Sequence, residues 1–207
     1  MTDDRILVLG IGNILWADEG FGVRVIEALD RAYAMPEHVT LCDGGTQGLY
    51  LLPLLEDADV VILLDAVDYG LPPGTLHRVN DADLPAVLAT RKLSLHQTGF
   101  QEVLALMQLR GYMPRALRLI GVQPHTLDDY GGGLTPLVAA QVAPAVAQVV
   151  ELLRSEFDTP LAPRAGSEPQ ALAPAVTRDA YEAGRPSAVE ACRIGDERVL
   201  ARGIGGL

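Results

Sequence analysis

Apolar runs of strand length recur along the first part of the chain, and most stop at a glycine or an acid. Ile6 to Leu9 runs into Gly10 and Gly12, Val39 to Cys42 into Asp43-Gly44-Gly45-Thr46, and Val60 to Leu64 into Asp65. Continuous aliphatic runs of this length predict strands buried on both faces, as in a parallel sheet. Thr75 to Val79 is less apolar and reads as an edge strand whose direction the pattern does not give, and Leu117 to Val122 completes a set of five. Between them the period changes to that of a helix. Val23, Ile26, Leu29 and Tyr33 share one face before Pro36; a brief helical stretch follows around Leu49 to Leu55; Phe100, Val103, Leu104 and Met107 share another face before Gly111. The weak stretch from Asn80 to Leu95 predicts one helical turn near Leu84 to Leu88. Thr135 and Pro136 suit the cap and first position of a last helix to about Phe157, which Pro144 should kink. The expectation is a single α/β domain over 1–157: a twisted, mostly parallel five-stranded sheet with helices on both faces.

Residues 158–207 change character. Five prolines punctuate an alanine-rich stretch whose aromatic is Tyr181, which predicts a poorly ordered tail dispensable for folding. Ala191 to Ile194 and Glu197 to Leu200 flank Gly195-Asp196, the pattern of a small hairpin. Charge sharpens the division. The chain carries −11, and the tail's seven acids and six arginines leave ten of those charges on residues 1–157. Such acidity argues against nucleic acid or an anionic membrane as partner. A start of MTDDR directly before a strand predicts neither a secretory signal nor a membrane insertion, so the expected location is the cytoplasm. Cys42 and Cys192 form no CxxC pair and no disulfide framework.

In an open parallel sheet, ligands bind beyond the carboxyl ends of the strands, and polar residues gather there in this chain. The turn Gly10-Ile11-Gly12-Asn13-Ile14-Leu15 could cradle an anion at a helix entrance, with Asp43 standing where a ribose-binding acid would. That supports a nucleotide-binding oxidoreductase as an alternative, although Leu15 occupies the place of the third glycine and no nucleotide cofactor is expected. A second constellation is Glu19, Asp65 and His96, two carboxylates and an imidazole that suit a divalent transition metal while leaving positions open. Each has a structural explanation: Asp18 and Glu19 at a helix N-terminus, Asp65 closing a turn, His96 hydrogen-bonded at the surface. None of His38, His77, His96 and His125 belongs to an HExxH motif. Asp43 and Thr46, around two glycines, form either a recognition surface or a plain Asp-Gly turn. There is no GxSxG and no Walker lysine, and Cys42 reads as a core thiol.

The order of these motifs is more specific than any one of them. GIGNILWADEGFG, DGGT at Asp43 to Thr46, LLDAVD around Asp65, SLHQTG around His96 and the glycine loop before LTP together resemble the hydrogenase maturation endopeptidases. Members of that family remove a C-terminal extension from the nickel-iron hydrogenase large subunit once its metal centre is loaded. The resemblance spans about Arg5 to Glu156 and implies that Glu19, Asp65 and His96 contact the metal and that Asp43 helps choose the precursor. It also implies that nickel arrives with the substrate, and that a metal-bound carbonyl or a carboxylate-activated water carries the chemical step. The tail looks longer than in many relatives. A non-enzymatic alternative is a nickel-dependent chaperone that grips the precursor without cutting it.

Overall fold

A computed structural model describes residues 4–81, 95–127, 129–165, 172–173 and 176–184. The expected turn near Leu84 to Leu88 and the hairpin after Ala191 lie outside these residues. All five expected strands are present: β1 (Ile6–Ile11), β3 (Val39–Gly45), β4 (Val60–Ala66), β5 (Leu76–Asn80) and β6 (Ala116–Val122). They form one sheet in the order β3-β1-β4-β6-β5, parallel except for the antiparallel pairing of β5 with β6. The antiparallel strand is an edge, where its half-exposed side chains are tolerated.

Side-chain alternation divides the core in two. Ile6, Val8, Val60, Ile62, Leu64 and Ile120 face helices α1 (Phe21–Ala32) and α5 (Val142–Phe157). Leu7, Leu9, Val61, Leu63 and Leu119 face α2 (Leu52–Glu56) and α3 (Leu95–Arg110) through Leu55, Phe100, Val103 and Met107. Strands with both faces covered are the reason that β4 reads as five aliphatic residues without a polar break.

Two boundaries differ from the sequence pattern. The last helix is divided into α4 (Pro136–Ala139) and α5, and the break falls at Ala140-Gln141 rather than at Pro144. Pro144 is the third residue of α5, where its missing N–H would have had no partner within the helix, so it costs no bond there. Pro136–Phe157 is long and apolar enough to cross a membrane by composition. Its buried side chains Val146, Val149, Leu152 and Leu153 instead belong to the core cluster beside α1. At the other boundary α1 ends at Ala32, and Tyr33 is extended because β2 (Tyr33–Ala34) pairs with β7 (Ala162–Pro163).

That pairing begins a wider contact. Thr159 is buried and Leu172 joins the core cluster. Arg164 bonds Asp30, Arg24 Nη1 donates to Val176 O at 2.8 Å, and Arg178 N donates to Glu27 at 2.9 Å. Arg24 also lies 5.6 Å from the Tyr181 ring centroid, while α6 (Arg178–Gly184) sends Asp179 toward Arg31. The described stretches beyond Phe157 thus cover the outer face of α1, where Arg24, Glu27 and Asp30 are buried. Besides Leu172, these contacts are mainly ion pairs, a cation–ring contact and backbone bonds, which no hydrophobic periodicity announces.

Candidate active site at the carboxyl edge

The opening strand delivers its glycine turn to a crowded place. A Cβ on Gly10 would lie 2.5 Å from Gly22 O, and one on Gly22 would lie 2.1 Å from Leu64 O. The start of α1 therefore packs directly on the ends of β1 and β4. Gly12, at φ +128°, is tighter still: a Cβ there would fall 1.8 Å from Glu19 O and 3.9 Å from Asp65 Oδ1. One glycine is wedged between the backbone of Glu19 and the side chain of Asp65, and only a residue without a Cβ permits that approach.

Glu19 lies in a 3-10 turn, Ala17–Gly20, between β1 and α1. It is half-buried, with Oε2 closed off from solvent. Asp65 is the penultimate residue of β4 and is 4% exposed, its Oδ1 accepting from Ala66 N at 2.7 Å. By alternation Asp65 shares the face of Val61 and Leu63, the face that α3 covers. His96 is the second residue of α3; its side chain lies outside the described ones. α3 leads through a short turn into the start of β6, so its Arg110 end lies at the amino edge and its Leu95 end points toward the carboxyl edge.

Asp43 and Thr46 reach the same edge from the other side of β1. The expected glycine turn is still strand at Gly45: Gly10 pairs with Asp43 and Ile11 with Gly45, so Gly44 forms a bulge. Gly12 N donates to Gly45 O at 2.9 Å, tying this segment to the Glu19 turn. Asp43 Oδ1 accepts from Gly45 N at 2.9 Å. Burial pushes its carboxyl above the usual carboxylate range, against the opposing pull of that amide and of the Arg24 charge. Burial, and secondarily the Asp43 charge, raises the neighbouring Cys42 thiol, which suits a packing role. Thr46 is exposed one residue past the strand.

Two buried polar residues here were not legible as site components. Asp18, read as a helix-end acid, is fully buried, and its carboxylate accepts from His125 N, Thr126 N, Thr135 N and Thr135 Oγ1 at 2.7–3.0 Å. Thr135 precedes α4 as expected, but its hydroxyl donates to Asp18 instead of capping the helix. Gln123 similarly gathers the turn after β4, accepting from Tyr69 N and Leu71 N and donating to Asp68. Their partners lie 52–117 residues away in sequence, so no local spacing could have signalled them.

The glycine turn is no open anion cradle. Gly12 N is engaged by Gly45 O, Leu15 N by Asn13 Oδ1, Ala17 N by Gly132 O and Asp18 N by Thr126 O. A phosphate would have to displace these bonds, which removes the basis of the nucleotide alternative.

A family model described as hydrogenase maturation protease matches residues 23–152. HupD of Rhodobacter capsulatus, a hydrogenase expression/formation protein, is 54% identical over 195 residues, spanning 94% of this chain and 92% of the relative. The chain belongs to the hydrogenase maturation proteases. It is accordingly a peptide-bond hydrolase, and its sheet is that of the solved relatives. The hydrogenase 2 maturation protease of Escherichia coli is 45% identical over 151 residues, spanning 72% of this chain and 91% of the relative. The solved hydrogenase maturating endopeptidase HybD from Escherichia coli superposes with a TM-score of 0.72 at 43% identity, covering 77% of this protease and 98% of that chain. Coverage separates two kinds of relative. The Rhodobacter protein extends across most of the segment after Phe157, whereas the Escherichia coli chain is used up within about three quarters of this one.

Proposed function

We propose that this protease removes the C-terminal extension from the large-subunit precursor of a nickel-iron hydrogenase, reading the loaded metal through Glu19, Asp65 and His96. Gly12 carries the argument: it lets the Glu19 turn and the Asp65 carboxyl meet at one point of the carboxyl edge, toward which the first turn of α3 also leads. Two carboxylates and an imidazole leave room for ligands from a second protein, so the nickel is a feature of the substrate and not a resident cofactor. Asp43 and Thr46, joined to the same turn through Gly45, are suited to choosing among precursors, and Asp43→Asn should change which precursor is accepted while metal contact persists. The catalytic unit in this reading is residues 1–157, with 158–207 a tail whose described stretches are an accessory cover, and the reaction takes place in the cytoplasm.

The test compares nickel-loaded and nickel-free precursor with the unaltered protease and with Glu19→Gln and His96→Ala, following precursor mass over time. Loaded precursor should be shortened and unloaded precursor left intact, and each substitution should slow cutting by roughly 100-fold or more with little loss of stability. Combining the two should cost little beyond the worse single change. Efficient cutting of the unloaded form, or full activity of His96→Ala, would show that these residues do not read the metal. A loaded precursor that is bound but never shortened would favour the chaperone.

A further inference from the structure

Asp18 lies next to Glu19 in the same 3-10 turn, yet it has no route to substrate: its side chain is fully buried and both oxygens are occupied by donors from the loop between β6 and α4. Oδ2 receives His125 N, Thr126 N and the Thr135 hydroxyl, and Oδ1 receives Thr135 N. A carboxylate with four donors makes a strong and directional anchor. The turn and the loop are stitched further by Ala17 N to Gly132 O, Gly131 N to Leu15 O and Asp18 N to Thr126 O. Outside these bonds Trp16 meets the Tyr130 ring edge-on at 5.2 Å. Ala17 is held at φ +41°, a conformation unfavourable for an L residue that persists only where its surroundings impose it.

On the opposite side of this clamped turn stands Gly12, against which the Glu19 carbonyl is pressed. The Glu19 backbone is therefore gripped between the glycine wedge and the Asp18 anchor. We infer that Asp18 is a positioning residue of the protease: by clamping the Ala17–Gly20 turn to the Pro124–Thr135 loop, it fixes the direction in which the Glu19 carboxylate meets the substrate. This inference rests on the proposed role of Glu19. It adds that Glu19 is aimed by bonds whose donors come from the connection between β6 and α4, which leaves the same edge of the sheet two strands away from β1.

The experiment uses the full chain and Thr135→Val, which removes one donor to Asp18 and keeps its carboxylate and the Thr135 amide. Thr135→Ser, which restores the hydroxyl, and Asp18→Asn, which forces at least one donor to face another donor, complete the set. Each is assayed on nickel-loaded precursor well below its melting temperature, with rates expressed per folded molecule. Amide exchange is measured on peptides covering the turn and, as a reference, α5. Thr135→Val should lower kcat roughly tenfold, within the 10- to 100-fold range typical for a residue that orients a metal-contacting group. Its KM should be unchanged, exchange should quicken in the turn but not in α5, and Thr135→Ser should recover the rate. Asp18→Asn should do the same more severely; if it fails to fold, the threonine pair still decides. An unaltered kcat in Thr135→Val, with or without faster exchange, overturns the inference and leaves Asp18 a purely structural anchor. Full activity of Glu19→Gln in parallel would instead bring down the proposed role of Glu19, so the two failures are separable.

Discussion

The two ends of the sheet carry carboxylates in opposite settings. At the amino edge arginines meet most of the neighbouring acids: Arg5 bonds Asp57 and Asp59, Arg115 bonds Asp4, and Arg118 lies between Asp81 and Glu156. Most of these partners are well exposed, where such pairs contribute little and are screened by salt. At the carboxyl edge Asp18 and Asp65 are buried and Asp43 is half-buried, and backbone amides hold them: Asp18 by three amides and a hydroxyl, Asp65 by Ala66 N, Asp43 by Gly45 N. An amide donor orients a carboxylate without cancelling its charge, whereas an arginine does both. The acids of residues 1–157 are thus held differently at the two edges: by arginine side chains where the strands begin, and in directions set by backbone amides where they end. That is the arrangement a site needs if it is to meet a cation carried by another protein.

The contrast can be broken most severely at Gly12. Gly12→Ala drives a methyl group into the Glu19 carbonyl and should cost about 3 kcal/mol of stability together with most of the processing activity. Urea unfolding and precursor mass read the two losses, and a variant that keeps both would mean that the wedge is slack. At the other end Arg115→Ala breaks the Asp4 pair and should cost no more than about 1 kcal/mol, with processing untouched. A marked drop in activity there would show that the edges are not independent.

The smallest effect concerns Asp43, which burial penalises in its charged form. Because folding raises its pKa, the carboxyl contributes stability that is fully present below its unfolded value of about 3.9 and is lost as the pH rises through the folded value. Asp43→Asn, which can still accept from Gly45 N, should therefore raise the urea midpoint slightly near neutral pH. The gain should vanish on acidification below that window, and a gain independent of pH would mean that burial of the charge is not its source.

The framework was legible because long-range packing and local pattern agree in it. The aliphatic run of β4 could only be a strand covered on both faces, and the stops at Gly10, Asp43 and Asp65 marked one edge of the sheet. Glu19 and Asp65 could be named from their place at strand ends, but their approach about Gly12 depends on a backbone contact that spacing does not encode. Asp18 looked like an ordinary helix-end acid because its donors come from Thr126 and Thr135, more than a hundred residues later. Pro144 was misjudged for a local reason: the helix restarts at Val142, which places the proline in a first turn. The described stretches after Phe157 hid their role behind composition, since they pack through Arg164, Arg178, backbone groups and scattered apolar residues such as Leu172, with no periodic stripe.

The cover on α1 also sets an order in time. Arg24, Glu27 and Asp30 are synthesised early and their covering partners, Arg164, Val176 and Arg178, long afterwards. At about 5–20 residues per second, the stretch from 158 to 178, which ends on the last of these partners, takes roughly 1 to 4 s to make. At the start of that interval every strand of the sheet has been made, while the residues that cover the charged face of α1 have not. Synthesis alone thus supplies the strands of the protease first and the brace on α1 second.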